Sequence, residues 1–222
     1  MKDSKENLKL NIGCGPNGLE NWLNYDWGIL PFLSKFSLLR SILIKFGILN
    51  KDYEIKWPPI KLVNIRGKFP LKDNSTKYIY CSHVLEHFER WEAIEILNEC
   101  RRVLVKGGSI RIIVPNIEKM VDTYKEEKMN KDQKDRPGRN ICRTWWGYDK
   151  DIEPKGFIQK FARKFIRDHH WNYDKYELEL ILREAGFNEN TECGFRRGIV
   201  PDIDKLDIES YKEHSLYLES TK

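Results

Sequence analysis

Leu8-Lys9-Leu10-Asn11-Ile12-Gly13-Cys14-Gly15-Pro16-Asn17-Gly18 is the stretch from which the fold can be read. Its first half alternates, as a strand with one buried face does, and its second half is a glycine turn. The spacing of Gly13, Gly15 and Gly18 is that of a G-x-G-x-x-G nucleotide turn, a weak signal alone because glycine turns after strands are common. Its physical use is specific. Glycine lets the chain turn tightly and lets a ligand lie against the backbone with no Cβ in the way. Asp26 follows too soon for the ribose acid of a dinucleotide site, which stands roughly 20 residues on. Gly18 to Trp22 also leaves no room for a full helix, so the spacing argues against a nicotinamide cofactor.

Working outward, Leu23–Asp26, Lys61–Ile65 and Lys77–Ser82 read as further short strands. Ile94, Leu97, Arg101 and Leu104, widened by Ala93, Cys100 and Val103, recur at helical spacing, and Gly107-Gly108 is expected to end that helix. Ser109–Val114 is a β-branched run closed by Pro115. The charged region from Glu118 to Arg139 is expected to begin as a helix and become mobile. Phe157, Phe161 and Phe165 form a helical stripe. Asp174 can cap the next helix, with Glu177 supporting a capping arrangement and Gly186 ending it. Strands near Phe187–Phe195 and Ser215–Glu219 follow. Strands alternating with helices indicate an α/β sheet, mainly parallel, and the last two strands, joined by a loop, give it an antiparallel end.

Composition sets broad bounds. The 222 residues suffice for one domain with a real core. The formal net charge of +5 suits phosphate-bearing partners without a basic tract that would demand nucleic acid. The five cysteines are scattered without metal-ligand spacing, which reads as reduced thiols in a cytoplasmic protein. Met1–Leu8 is polar and lysine-rich, unlike a signal peptide. Residues 29–49 are strongly apolar but broken by Lys35, Arg40 and Lys45, too charged for a comfortable membrane span. Phe36, Leu39, Ile42 or Leu43, and Phe46 recur at helical spacing and fit an amphipathic helix. Packing over the core or the active site is the plainer reading, and peripheral contact with a membrane surface the sharper one.

Several motifs together resemble class I S-adenosylmethionine-dependent methyltransferases. Asn11-Ile12-Gly13-Cys14-Gly15 is similar to their first motif. Phe69-Pro70-Leu71-Lys72-Asp73-Asn74-Ser75 resembles a turn of the family. His83-Val84-Leu85-Glu86-His87, followed by Cys100 to Gly108, resembles its middle. His169 to Asp174 with Glu184-Ala185-Gly186-Phe187 is similar to a bacterial subgroup (methyltransferase type 11-like) whose members often accompany surface-polysaccharide assembly. The resemblance covers about residues 8–26 and 61–117, and more loosely 169–220. It implies a Rossmann-like fold: a mainly parallel seven-stranded sheet with an antiparallel last strand and helices on both faces. One domain would span 1–222, with acceptor-side insertions at about 27–60 and 118–168.

The resemblance also implies a cofactor site. Gly13, Cys14 and Gly15 would pass under the amino-acid part and ribose of S-adenosylmethionine, whose product is S-adenosylhomocysteine. Asp26 would accept hydrogen bonds from the two ribose hydroxyls, although by position alone a turn or cap residue reads as well. Asn64, where the family often has aspartate, would face the adenine amino group, and Ile65 would offer a backbone amide. Ser82 and His83 would lie along the methionine portion.

His83, Glu86 and His87, spaced i, i+3 and i+4, can share a helix face. A similar helix in some related RNA 2′-O-methyltransferases carries ligands for a divalent metal. Here the first of those positions is histidine and the sequence offers no fourth ligand, so no metal is expected. His169 and His170 are the general-base candidates, because a neutral imidazole can take a proton from a hydroxyl. Orienting a loop or binding substrate phosphate is the alternative. Trp145, Trp146, Trp171, Tyr148 and Phe157 could line an acceptor pocket, and Arg143, Arg163, Arg167, Arg196 and Arg197 could hold phosphate, though core and solvated-face readings serve as well. The expected activity is methyl transfer to an O or N atom of a carbohydrate or sugar-linked small molecule. RNA is the less favoured acceptor, and a non-catalytic cofactor-binding protein the third reading.

Overall fold

The computed structural model describes residues 8–46, 49, 54, 56–129, 137–145 and 169–222. The expectations for residues 1–7 and 130–136, and for Trp146, Tyr148, Phe157, Phe161, Phe165, Arg163 and Arg167, lie outside them.

Seven strands form one sheet in the order β3-β2-β1-β4-β5-β7-β6. They are β1 Lys9–Ile12, β2 Leu23–Asp26, β3 Ile60–Leu62, β4 Thr76–Ser82, β5 Leu104–Pro115, β6 Glu189–Cys193 and β7 Ser215–Thr221. Strands β1 to β5 pair in parallel, and β7 runs antiparallel to both of its neighbours. The helices are α1 Ile29–Ser34, α2 Ser37–Lys45, α3 Arg90–Val103, α4 Ile117–Met129, α5 Pro137–Trp145, α6 Lys175–Glu184 and α7 Ile203–Leu206.

Strand alternation builds two apolar layers. Leu10, Ile12, Ile79, Cys81, Ile110, Ile112 and Leu218 point to one face, where Ile96, Leu97 and Cys100 of α3 and Leu178, Ile181 and Leu182 of α6 cover them. Tyr80, Ile113 and Tyr217 point to the other, against Trp22, Ile203 and Leu206. Helices therefore lie on both faces, and the expected fold class holds.

Several local expectations are corrected. The glycine pair does not end α3. That helix closes at Val103, and β5 begins at Leu104. Pairing with β4 jumps from Thr76↔Leu104 to Tyr78↔Ser109, so Gly107 and Gly108 sit in a bulge. Gly107 takes φ +71°, and a Cβ on Gly108 would come within 2.9 Å of Val105 O and 3.0 Å of Lys77 O. Strand β3 stops at Leu62 because the chain turns at Asn64, whose carbonyl accepts from Gly67 N at 3.1 Å. The amphipathic helix expected from Phe36 to Phe46 is α2, and a separate short helix, α1, precedes it. The Lys35 and Phe36 amides bond back to Phe32 and Leu33, closing α1 before α2 starts.

The capping of α6 follows the sequence, with Asp174 Oδ1 accepting from Glu177 N at 2.7 Å. The Glu177 carboxylate, however, pairs with Arg90 at 2.7 Å rather than reaching back to the cap. Arg90 also holds Glu184, locking the start of α3 to α6.

Candidate functional site

Ile12 is level with Tyr25 on one side and Cys81 on the other. The residues that leave β1, β2 and β4 (Gly13, Asp26, Ser82 and His83) therefore lie along the carboxyl edge of the sheet, where open α/β folds bind ligands.

The glycine turn is held from β2. Gly13 N and Cys14 N donate to Tyr25 O at 2.8 and 3.3 Å, and Gly15 N donates to Asp26 Oδ2 at 2.7 Å. Asp26 Oδ1 accepts from Trp27 N at 2.7 Å. A carboxylate oxygen accepts about two hydrogen bonds; the carboxylate that was expected to serve a ribose also shapes the loop on which the ribose would rest. Gly13 and Gly15 both need a left-handed backbone, at φ +63° and +50°. They differ in surroundings. A Cβ on Gly13 would collide with Val84 Cγ2, whereas one on Gly15 would meet nothing within 4 Å. The open side of Gly15 is the kind of cradle that a bound group fills. Cys14 is buried, and burial, reinforced by the Asp26 charge, pushes its thiol far up, so it packs rather than reacts.

Asn64 is exposed at the end of β3 and its Oδ1 accepts from Arg66 N at 3.2 Å, while the Ile65 side chain is buried in the core. His83 is more constrained than its sequence suggests. It takes φ +52°, its Nε2 is 2.9 Å from Ser215 Oγ, and its Nδ1 is 3.1 Å from Glu86 Oε1. Nδ1 thus faces a group that can only accept, and Nε2 shares a hydrogen bond with the Ser215 hydroxyl. The Tyr211 ring stacks on it with centroids 3.8 Å apart. Neither Tyr211 nor Ser215 was legible as a site residue, since both reach His83 from the far end of the chain.

His83, Glu86 and His87 do not share an α-helix face. Leu85–His87 is a single 3₁₀ turn, and α3 begins only at Arg90, with Glu89 and Glu92 forming a capping box. The turn nevertheless brings Glu86 into the core, where its side chain is fully buried. Burial alone would raise that carboxyl, but the His83 hydrogen bond and the nearby His83, His87 and His169 charges hold it below its ordinary range. His169 arrives from the distant loop, with its ring 5.0 Å from that of His87. His170 points elsewhere: it is exposed, with Nδ1 3.1 Å from Glu89 Oε1. Its backbone N–H and that of Trp171 donate to Glu86 O at 2.7 and 3.2 Å, so the loop is clamped onto the turn. Among the candidate phosphate ligands, Arg196 lies 3.6 Å from Glu209.

Comparisons with known proteins agree with this geometry. A family model described as a methyltransferase domain matches residues 49–112, from before β3 into β5. An uncharacterized protein of Methanocaldococcus jannaschii is 30% identical over 130 residues, which is 59% of this chain and 49% of that protein. The chain thus spans about half the length of the curated relative it matches. Among solved structures, a S-adenosylmethionine-dependent methyltransferase of Thermotoga maritima superposes with TM-score 0.51 at 14% identity, covering 99% of this chain and 84% of that one. A protein of Pyrococcus horikoshii does so with TM-score 0.50, also at 14% identity and with the same coverage. The fold is that of the class I methyltransferases, and the family match supports an enzyme of that kind.

Proposed function

We propose that this chain transfers a methyl group from S-adenosylmethionine to an O or N atom of a carbohydrate or sugar-linked small molecule. The observation that carries the cofactor half is the Gly15–Asp26 bond. It fixes a left-handed turn whose open side lies at Gly15 and sets the Asp26 carboxylate, a pair of hydrogen-bond acceptors, at the end of β2 beside it. Gly13, Cys14 and Gly15 would run beneath the ribose and amino-acid part. Asn64 and Ile65 would meet the adenine, and Ser82 and His83 the methionine portion. The bound cofactor supplies an electrophilic methyl on a sulfonium, and positioning of the acceptor accounts for much of the rate.

With a hydroxyl acceptor, the candidates to take the proton are His169, half-buried beside His87, and His170, exposed beside Glu89. The acceptor side would be built by residues 27–60 and 118–168 around a single domain. The carbohydrate acceptor, and with it a role in polysaccharide biosynthesis, rests on the resemblance to the type 11-like bacterial subgroup. An RNA acceptor is less favoured at a net charge of +5 and would show binding that falls steeply with salt. A cytoplasmic site of action beside the membrane suits residues 29–49, which hold Lys35, Arg40 and Lys45 and no acidic residue. There Leu38 is 76% and Phe46 74% exposed. No helix among the described residues is long and apolar enough to cross a membrane.

Calorimetric titration with S-adenosylmethionine and S-adenosylhomocysteine tests the cofactor, and turnover on sugar-nucleotide and RNA panels tests the acceptor. Saturable binding with methylation of a sugar-linked acceptor is expected. A folded protein that binds neither compound would refute the reading, and binding without turnover on any acceptor would favour a non-catalytic role.

A further inference from the structure

We infer that Glu86, His87 and His169 form a site for one divalent first-row transition-metal ion, of the zinc type. The sequence offered Glu86 and His87 but no partner for them. The fold supplies His169, and one ligand atom from each of the three lies within 4.8 Å of the others.

Glu86 carries the argument. Its side chain has no exposure, and Oε2 accepts no hydrogen bond from a described residue. A buried carboxylate needs compensating charge or hydrogen bonds. Among the described residues no lysine or arginine pairs with it, and its one ion-pair contact is His83 Nδ1 on Oε1. The side chains that surround it are the imidazoles of His83, His87 and His169. Two imidazoles with a carboxylate are a ligand set for such an ion, whose charge would offset that of the buried carboxylate. Ligand atoms held by one such ion through bonds of roughly 2.0–2.2 Å stand roughly 3.4 Å apart, so these three would close in around it on binding.

The support around the cluster is also that of a built site. His83 donates to Glu86 from the outside, is itself bonded to Ser215 and is stacked on Tyr211, which fixes the carboxylate's orientation. Backbone bonds from His170 and Trp171 to Glu86 O bind the His169 loop to the ligand turn. Nitrogen-rich ligation selects zinc, cobalt, nickel or iron over magnesium, which prefers oxygen. Three protein ligands leave an open position. If the chain is the methyltransferase proposed above, an acceptor hydroxyl there would be made acidic by the ion, and His169 would serve as a ligand instead of a base.

The test needs neither cofactor nor acceptor, so it can fail while the methyltransferase reading stands. The full chain, stripped with a chelator and verified as folded by circular dichroism, is titrated with Zn²⁺, Co²⁺ and Mg²⁺. Saturable binding of one Zn²⁺ per chain is expected, with a visible Co²⁺ absorption band that Zn²⁺ displaces and no uptake of Mg²⁺. His169→Ala and His87→Ala should abolish the Co²⁺ band. His83→Ala should weaken binding about 10- to 100-fold, as for a group that orients a ligand. His170→Ala and Cys142→Ser should leave it intact. A folded wild-type chain that takes up no Zn²⁺ would overturn the proposal. So would binding that survives His169→Ala, or that disappears with Cys142→Ser.

Discussion

The backbone N–H of Gly15 donates to Asp26 Oδ2 over 2.7 Å, so the last residue of β2 fastens the turn that leaves β1. One side chain thereby shapes the loop and presents the acceptors on which cofactor binding would depend. Asp26→Asn turns one acceptor into a donor that faces a backbone N–H. We expect affinity for S-adenosylmethionine to fall about 10- to 100-fold, since a hydrogen bond to a charged group contributes roughly 1.5–3 kcal/mol. Calorimetry measures this loss, and far-UV circular dichroism should show the fold retained. Unchanged affinity would remove Asp26 from the site.

The two turn glycines should fail in different ways. Gly13→Ala drives a methyl group into Val84 from a left-handed backbone, so its cost falls on folding. Gly15→Ala meets open space, and its folding cost is confined to the left-handed conformation, about 1–2 kcal/mol. The Gly15 variant should therefore remain folded and lose cofactor affinity. Thermal melts and calorimetry on both variants separate the two effects, and equal affinity in wild type and Gly15→Ala would count against the cradle.

Arg111 is completely buried between Asp207, at 2.6 Å, and Glu219, at 3.1 Å. It also donates to Gly194 O and Arg197 O, tying β5 to the chain beyond β6. Arg111→Ala would strand two buried carboxylates, and breaking such a pair costs about 3–5 kcal/mol. Urea unfolding should show a loss of that order or no folded protein. Substituting all three residues by apolar ones should not recover it, because Asp207 and Glu219 also accept from the Arg196, Ile199 and Val200 amides, which would be left without partners.

Asp202 accepts from Lys9 Nζ at 2.6 Å and from Trp22 Nε1 at 2.9 Å, and the Lys9 bond first, then Trp22, hold its carboxyl below the ordinary range. A depressed pKa in the folded state means that stability is fully present above the unfolded value and is lost as pH falls through the folded one. Asp202→Asn keeps the Trp22 bond and tolerates the left-handed φ of +61°. The wild type should therefore melt higher than this variant at neutral pH, and the difference should shrink as the pH drops below about 4. A constant difference across that range would show that the carboxylate charge contributes nothing.

Residues 29–49 should bind anionic membranes. Vesicles containing phosphatidylglycerol should retain the chain in sedimentation, and neutral phosphatidylcholine vesicles should retain much less. Leu38→Glu with Phe46→Glu should abolish retention while leaving cofactor affinity unchanged, since both side chains are exposed. Retention that is indifferent to lipid charge and to these substitutions would refute the membrane contact.

Much of the scaffold was legible because its signals are local. The alternation of Leu8–Ile12, the β-branched run of Ser109–Val114 and the Asp174 cap each depend on residues a few positions apart. The errors came where a local signal has two uses. Gly107-Gly108 can end a helix or form a bulge, and only the pairing of β5 with β4 chose the bulge. Arg111 was hidden inside the apolar run, and a charge in the middle of a buried strand was the one hint that acids wait across the sheet.

By itself the sequence determined the order of strands and helices, the left-handed glycine turn and the acid that ends β2, because periodicity and backbone conformation are properties of neighbouring residues. Only the tertiary structure decided that Asp26 would hold Gly15, that His83 would be braced by Ser215 and Tyr211, and that His169 would join Glu86 and His87. Those meetings join residues that are far apart in the chain. They exist because the sheet order and the packing of α3 against α6 bring distant segments to one edge, where polar side chains meet groups from other elements.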